Sequence, residues 1–362
     1  MSKIAFIDHS YHKKTNSSSF LLEILQSFGH EVDHFWDDFW QGGEQVSFKK
    51  VQNYDAIILF QISPQWHEAY CKLHDNITYV PMLDSYRYTL ARNKNSIGPW
   101  IKFSNVKILN FSSTLHYICN AFGFVSRYFK YFQQPMPNIC VPQNGLHGFF
   151  WARREDQISV DTIFRLIGDT QFDSLHIHLA CDPFSPVPKP LSECVLKKHH
   201  VTVSHWFEAK QDFMNVIKKA NIVFAPRLEE GIGQSMLEAF AHGQCVIAPN
   251  CGTMNEYITD GLTGLLFDYN NPKQMDFSNA LELGRRSHTM AIRGYSAWIT
   301  CKKDIVDYIL HPCRELYEDK RQNIIWESIK GLPCLANKKT PLGFIWNMLR
   351  VGKDKMKKII QQ

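Results

Sequence analysis

Short apolar runs, none approaching the 18 or so uninterrupted apolar residues of a membrane span, alternate along this chain with stretches whose apolar residues recur at helical spacing. "KIAFID" opens the series, Leu21, Ile24, Leu25 and Phe28 follow at helical intervals until Gly29, and "HEVDHF" supplies the next run. A strand, a helix and a strand in that order favour a parallel sheet wrapped by helices. "YDAIILFQI", "ITYVPMLD" and "VKILNFSS" read as further buried strands.

The stretch "YFQQPMPNICVPQNGLHG", residues 131 to 148, holds three prolines and two glycines and breaks every periodic pattern around it. It reads as the connection between two domains, which is what 362 residues lead one to expect. Beyond it "GFFWARR", "DSLHIHLA", "HHVTVSHW", "ANIVFAPR", "QCVIAPN" and "TGLLFD" alternate with helical segments such as "AKQDFMNVIKKA". The expected organisation is an α/β chain with one Rossmann-like domain over residues 1–145 and a second over 146–300. Helices over 301–337 can cross back to the first domain, and 338–362 form a basic amphipathic tail. Two open α/β domains facing each other create a cleft at the carboxyl ends of their strands, where ligands bind in such sheets.

Composition narrows the function classes. A net charge of +5 is mild for this length, and the Lys and Arg residues are scattered until the last stretch, so no nucleic-acid partner is expected. The ten cysteines are spread without CxxC pairs, which suits reduced thiols. "MSKIAFIDHS" lacks the pattern of a signal peptide, and the expected location is the cytoplasm.

The densest signal is "LEEGIGQSMLEAFAHG". A strand ending near Pro226 is expected to lead through a glycine-containing loop into a helix from about Ser235 to a stop at Gly243. Such a junction presents backbone N–H groups and the positive end of the helix dipole, which suits a phosphate or diphosphate. Glu238, about one turn into the helix, can accept hydrogen bonds from two neighbouring ribose hydroxyls, and Glu230 can hold hydroxyls of a sugar beyond the phosphates. The plainer alternative is that acidic residues near a helix start merely complement its dipole.

The longer segment "EGIGQSMLEAFAHGQCVIAPNCGTMNEYITDGLTGLLFD" resembles the signature of retaining glycosyltransferases of GT-B architecture, the group 1 or family 4 type, which includes many bacterial lipopolysaccharide and capsule enzymes. The agreement covers Glu230, Gly231, Gly233, Glu238, Ala239, Ala241, Gly243, Gly252, Glu256, Gly261, Thr263, Gly264 and Leu265. "VPQNGLH" and "SFGHEVDHF" extend it more weakly. The resemblance implies that Glu230 contacts the donor sugar and Glu238 the ribose. It also implies that backbone around Gly231, Gly233, Gln234 and Ser235 approaches a nucleotide-diphosphate sugar, with a glycan or lipid-linked molecule as acceptor.

Members of that family carry an Arg and, five residues later, a Lys that meet the leaving diphosphate. Arg153 is the best match here, yet Ile158 stands at the lysine's place, and Arg154 is followed at that distance by Ser159. The second cation is open: Lys189, Lys210 or a residue of the first domain can fill it, while the "RR" pair can equally form surface ion pairs. The first loop, "DHSYHKKTNSSSF", lacks the family's two glycines. Thr15, Asn16 and the serines can cap the first helix there while Lys13 and Lys14 supply positive charge for an acceptor or phosphate. His9, His12, His67 and His116 each fit loosely the histidine that touches the donor sugar in the family.

No DxD element or zinc-type cysteine spacing occurs, so no metal or other cofactor is expected. His176 and His178 of "LHIHLA" are expected to give one side chain to each layer beside their strand. The tail "NKKTPLGFIWNMLRVGKDKMKKIIQQ" mixes aromatic, apolar and basic residues in the manner of a helix lying on an anionic membrane surface; the alternative is a helix packed on the first domain. The expected function is transfer of a sugar from a nucleotide sugar, with retention, in bacterial surface polysaccharide synthesis. A non-catalytic relative acting as a scaffold is the main alternative. A nicotinamide-dependent oxidoreductase ranks lower, because no GxGxxG turn follows the first strand.

Overall fold

The computed structural model describes residues 1–85, 105–121, 123–182, 185–188 and 190–320. Lys189, the basic tail at 338–362 and the later part of the helices expected over 301–337 lie outside the described residues. The chain divides into two compact units, Met1–Phe129 with the described residues from Thr300 onward, and Lys130–Ile299.

The first unit is a six-stranded parallel sheet made of β1 (Lys3–Asp8), β2 (Glu31–Trp36), β3 (Ala56–Phe60), β4 (Ile77–Val80), β5 (Val106–Asn110) and β6 (Ser126–Tyr128), in the order β2-β1-β3-β4-β5-β6. Every residue of β3, β4 and β5 is buried, as expected for strands covered by helices on both faces. Register runs from Lys3 beside Glu31 to Asp8 beside Trp36. The helix Ser19–Ser27 buries Phe20, Leu21, Ile24 and Leu25. Phe28 departs from the expected apolar stripe: it occupies the C-cap and is 44% exposed, where Gly29 at φ +79° turns the chain toward β2.

The expected serine cap is also absent. Ser18 stands at the N-cap of that helix, but its side chain accepts no hydrogen bond from the first turn; instead its hydroxyl helps to stabilise the Asp8 carboxylate.

The second unit repeats the plan with β7 (His147–Trp151), β8 (Ser174–His178), β9 (Val201–Ser204), β10 (Ile222–Phe224), β11 (Cys245–Pro249) and β12 (Leu265–Phe267), all parallel in the order β12-β11-β10-β7-β8-β9. Counted within the unit this is the 3-2-1-4-5-6 arrangement of doubly wound dinucleotide-binding sheets. Phe150, Phe172, Ile177, Phe224, Ile247 and Phe277 form part of its core. Lys130 to Gly145 belong to this unit too: the Lys130 ammonium donates to the Glu256 carbonyl at 2.7 Å, and the Met136 N–H donates to the Ala241 carbonyl at 3.0 Å.

The long helix Ala280–Leu310 belongs to the second unit as far as Ile299 and to the first from Thr300. No helix among the described residues is long and apolar enough to cross a membrane.

Candidate functional site

In the second unit the chain runs outward from β7 to β9 on one side and then returns to add β10, β11 and β12 on the other. The loops leaving β7 and β10 therefore diverge, and this switch point is where ligands settle in open α/β sheets. Arg153 follows β7, and Arg227 and Glu230 follow β10.

The loop after β10 is held from two sides. Ladder pairing runs one residue past the strand, with the Ala225 N–H donating to the Ile247 carbonyl at 2.8 Å. The Leu228 N–H then donates to Gln157 Oε1 at 3.2 Å, which ties this loop to the one after β7. From the loop after β11, the Cys251 thiol donates to the Leu228 carbonyl at 3.1 Å. The wholly buried Thr253 hydroxyl donates to the carbonyls of Glu230 and of Gly231, the latter at 3.2 Å. Gly252, at φ +56°, lets this loop approach; a Cβ there would lie 3.2 Å from Glu229 Cγ.

Glu230 is 9% exposed, and its Oε2 lies 3.7 Å from Nη1 of Arg227. Gly233 takes φ +75° at the N-cap of the helix Gln234–His242, so the cap residue itself offers no side chain to that terminus. A left-handed residue there costs little only for glycine, and an added Cβ would also come 3.0 Å from Met236 Cε. Gln234, Ser235 and Glu238 are half-buried on the first turns, and Gly243 at φ +80° ends the helix. Glu230, Gly231, Gly233, Gln234 and Ser235 are thus consecutive parts of one loop–helix junction, with Glu238 one turn further on.

Arg153 stands on the neighbouring loop, the one after β7. Its Nε donates to Asp182 Oδ1 at 2.8 Å, and its guanidinium lies 5.2 Å from the centre of the Trp151 ring. Ile158 is wholly buried in the core, so the position where the resemblance implies a lysine is filled by an apolar side chain. Of the candidate replacements, Lys189 is outside the described residues and the Lys210 side chain is not described. The cation beside Glu230 is Arg227, which sequence reasoning passed over; its signal was a basic residue just past the end of a strand, in "FAPR".

Behind Trp151 lies an aromatic cluster that the sequence did not reveal. His178 stacks on Phe207 at 5.2 Å between ring centres, and Trp206, 68% exposed, lies 6.2 Å from Trp151. The expectation that His176 and His178 face different layers is overturned, since both rings hydrogen-bond the one Ser204 hydroxyl, each at 2.8 Å. Side chains two apart on a strand point to the same face. Burial, with His176 and His205 nearby, pushes His178 down to about 4.

In the first unit, polar side chains gather at the carboxyl end of β1. Asp8 is wholly buried; its Oδ1 accepts from the His9 N–H at 2.8 Å and pairs with His12 Nδ1 at 2.7 Å. His34 Nε2 stands 3.6 Å from Asp8 Oδ2. Burial opposes the Asp8 charge, but His12 and His34 outweigh it and hold the carboxyl down at about 2. His67 faces Asp37 at 3.3 Å, and His116 bonds the Ser126 hydroxyl at 2.8 Å.

Residues 187–283 match the family model described as Glycosyl transferases group 1. Over 65 residues the chain is 40% identical to a D-inositol 3-phosphate glycosyltransferase of Paenarthrobacter aurescens, covering 18% of this chain and 15% of that protein. The chain spans 15% and 46% of the length of the curated relatives it matches. Among solved structures, HepE of Anabaena in complex with UDP and glucose aligns with a TM-score of 0.60 at 12% identity, over 85% of this chain and 99% of that one. The lipopolysaccharide outer core galactosyltransferase WaaB aligns at 0.54 and 16% identity, over 83% and 99%. The fold is therefore that of GT-B glycosyltransferases, two parallel six-stranded sheets flanked by helices, and the match to the group 1 model falls within the second unit.

Proposed function

We propose that the chain is a glycosyltransferase that moves a sugar from a nucleoside-diphosphate sugar to a glycan or lipid-linked acceptor. One observation carries the reading. The acidic glycine loop around Glu230 leaves β10 at the switch point of its sheet and enters the start of the helix Gln234–His242 through a left-handed glycine, Gly233. In this proposal the N–H groups of the Gly233–Ser235 turn meet the diphosphate, Glu238 holds the ribose hydroxyls and Glu230 those of the donor sugar. Arg153 and Arg227 supply the positive charge that a departing diphosphate needs, and no metal is proposed at this loop.

For transfer with retention, the acceptor hydroxyl approaches the face of the sugar from which the phosphate leaves. The acceptor O–C1 bond forms as the C1–O bond to the diphosphate breaks. The electron pair goes to the diphosphate, and one of its oxygens takes the acceptor's proton. Positioning and charge stabilisation then do most of the work. HepE is described with UDP and glucose, which favours a uridine-type donor, and WaaB as a lipopolysaccharide outer core galactosyltransferase, which favours a role in bacterial surface polysaccharide synthesis.

The test is a thermal-shift titration against UDP, GDP, ADP, dTDP and NAD, repeated with Glu238→Ala. A shift with one diphosphate that weakens in the variant supports the reading and names the base. No shift with any diphosphate favours a non-catalytic partner of another transferase, a reading to which the buried Ile158 gives its one support. Anomeric analysis of the product decides retention. Peripheral attachment to an anionic membrane through residues 338–362 is proposed on sequence grounds. Equal flotation with anionic vesicles of the full chain and of a truncation after Asn337 would remove it.

A further inference from the structure

The cluster at the carboxyl end of β1 has no part in the function proposed above. We infer that Asp8, His9, His12 and His34 form a binding site for a single transition-metal dication of the zinc class. The inference does not rest on the transferase reading.

Four observations lead to it. Asp8 is wholly buried, and a buried carboxylate requires a compensating cation or full hydrogen bonding. It has neither in full: Asp8 Oδ2, His9 Nδ1 and His34 Nε2 are all buried atoms with no hydrogen-bond partner. An unsatisfied carboxylate oxygen and two unsatisfied imidazole nitrogens in one cluster are a gap that native interiors rarely leave.

The separations suit an ion. Asp8, His9 and His12 each offer one ligand atom, and these atoms lie within 4.8 Å of one another. The 3.6 Å between His34 Nε2 and Asp8 Oδ2 is too long for a hydrogen bond. It is close to the roughly 3.4 Å between two ligands of a tetrahedral ion bound at about 2.1 Å.

The donor set chooses the metal. Imidazole nitrogens with one carboxylate and no thiolate suit zinc, cobalt or nickel, whereas calcium and magnesium prefer all-oxygen sites.

The backbone holds the set in place. Phe6 pairs with His34 in the parallel register of β1 and β2, so His34 shares a face with Phe6 and, two residues on, Asp8. The bond from the His9 N–H to Asp8 Oδ1 turns the loop back over the strand end, and the His12 ring stacks on that of His9 at 3.9 Å. A bound ion would pin the first loop to β2.

The competing account is that contacts from His12, His34 and the Ser18 hydroxyl stabilise the Asp8 carboxylate without an ion, and the experiment separates the two. The full-length chain, stripped with chelator, is titrated with Zn²⁺ in competition with a chromophoric chelator at pH 7.5, with Mg²⁺ as control. It is separately loaded with Co²⁺ for visible spectroscopy. His9→Gln and His34→Gln are made singly, because neither residue is fully buried.

The expected result is one tightly bound Zn²⁺, a Co²⁺ d–d band of four- or five-coordinate type, and affinity lowered by about tenfold or more in each variant. Absence of Zn²⁺ binding, or binding of equal strength in the original chain and both variants, overturns the inference. The Co²⁺ spectrum reads the unaltered protein, so misfolding of a variant leaves the test intact.

Discussion

The ammonium of Lys107 donates to the carbonyl of Ile309 at 2.8 Å, joining β5 to the end of the helix Ala280–Leu310 across 202 positions of sequence. The same Nζ donates to Asn76 Oδ1 and to the His311 carbonyl, while Asn76 Nδ2 donates to the Leu310 carbonyl at 2.9 Å. Terminal carbonyls that lack an intrahelical partner thus find buried donors. Burial pushes Lys107 down to about 7. Between that value and an unfolded-chain pKa of about 10.4 the unfolded state binds more protons, so this residue's contribution to stability rises with pH across that window. The stability difference between the original chain and Lys107→Met, followed by urea unfolding from pH 6.5 to 10, should shift toward the original chain as pH rises. A pH-independent difference would refute it. At neutral pH the variant should lose about 1–3 kcal/mol, because three acceptors are left without their donor.

Gly233→Ala should destabilise the second unit by about 1–2 kcal/mol, because φ +75° disfavours any side chain and Met236 Cε crowds the new Cβ. It should also abolish the diphosphate-induced thermal shift, by moving the N–H groups at the start of the helix. An alanine variant that melts with the original chain and still responds to diphosphate would show that this turn tolerates a Cβ and does not hold the ligand.

Most of the strands were legible because a parallel strand covered on both faces needs an unbroken apolar run, as "YDAIILF" and "QCVIAP" show. The loop–helix junction was legible too: glycine punctuation around Gly233 and Gly243 placed the helix now seen at Gln234–His242. What stayed hidden depends on strand order and on side-chain direction. Nothing local says that β10 lies beside β7, so the tie between Leu228 and Gln157 could not be foreseen. Arg227 was missed because its pairing depends on how the loop turns after Pro226. The error over His176 and His178 was one of period, since alternation sends neighbours, and not residues two apart, to opposite faces.

Arg227 and Glu230 form a half-buried pair, with side chains 19% and 12% exposed. Removing one partner strands the other charge in a poorly solvated place. Arg227→Met alone should cost about 1–2 kcal/mol, and the double variant with Glu230→Gln should cost less than the sum of the singles. The same Arg227→Met change should weaken diphosphate binding by about tenfold if the guanidinium meets the phosphates. Unchanged affinity, read by calorimetry, would confine Arg227 to holding Glu230.

Thr253 offers a cleaner probe of the loop, because its side chain points away from solvent and is assigned no contact with substrate. Its hydroxyl donates to the carbonyls of Glu230 and Gly231, and valine has the same shape without the donor. Thr253→Val leaves two buried carbonyls less satisfied, which should lower stability by about 1–3 kcal/mol. The loop would then be free to move on its remaining ties, the Leu228 bonds to Gln157 and Cys251. Hydrogen exchange should quicken between residues 228 and 234, and diphosphate affinity should fall although no proposed ligand contact has been altered. A loss of stability without faster exchange in that segment would mean that the hydroxyl supports the core beneath β11, and that the loop after β10 is held by other bonds.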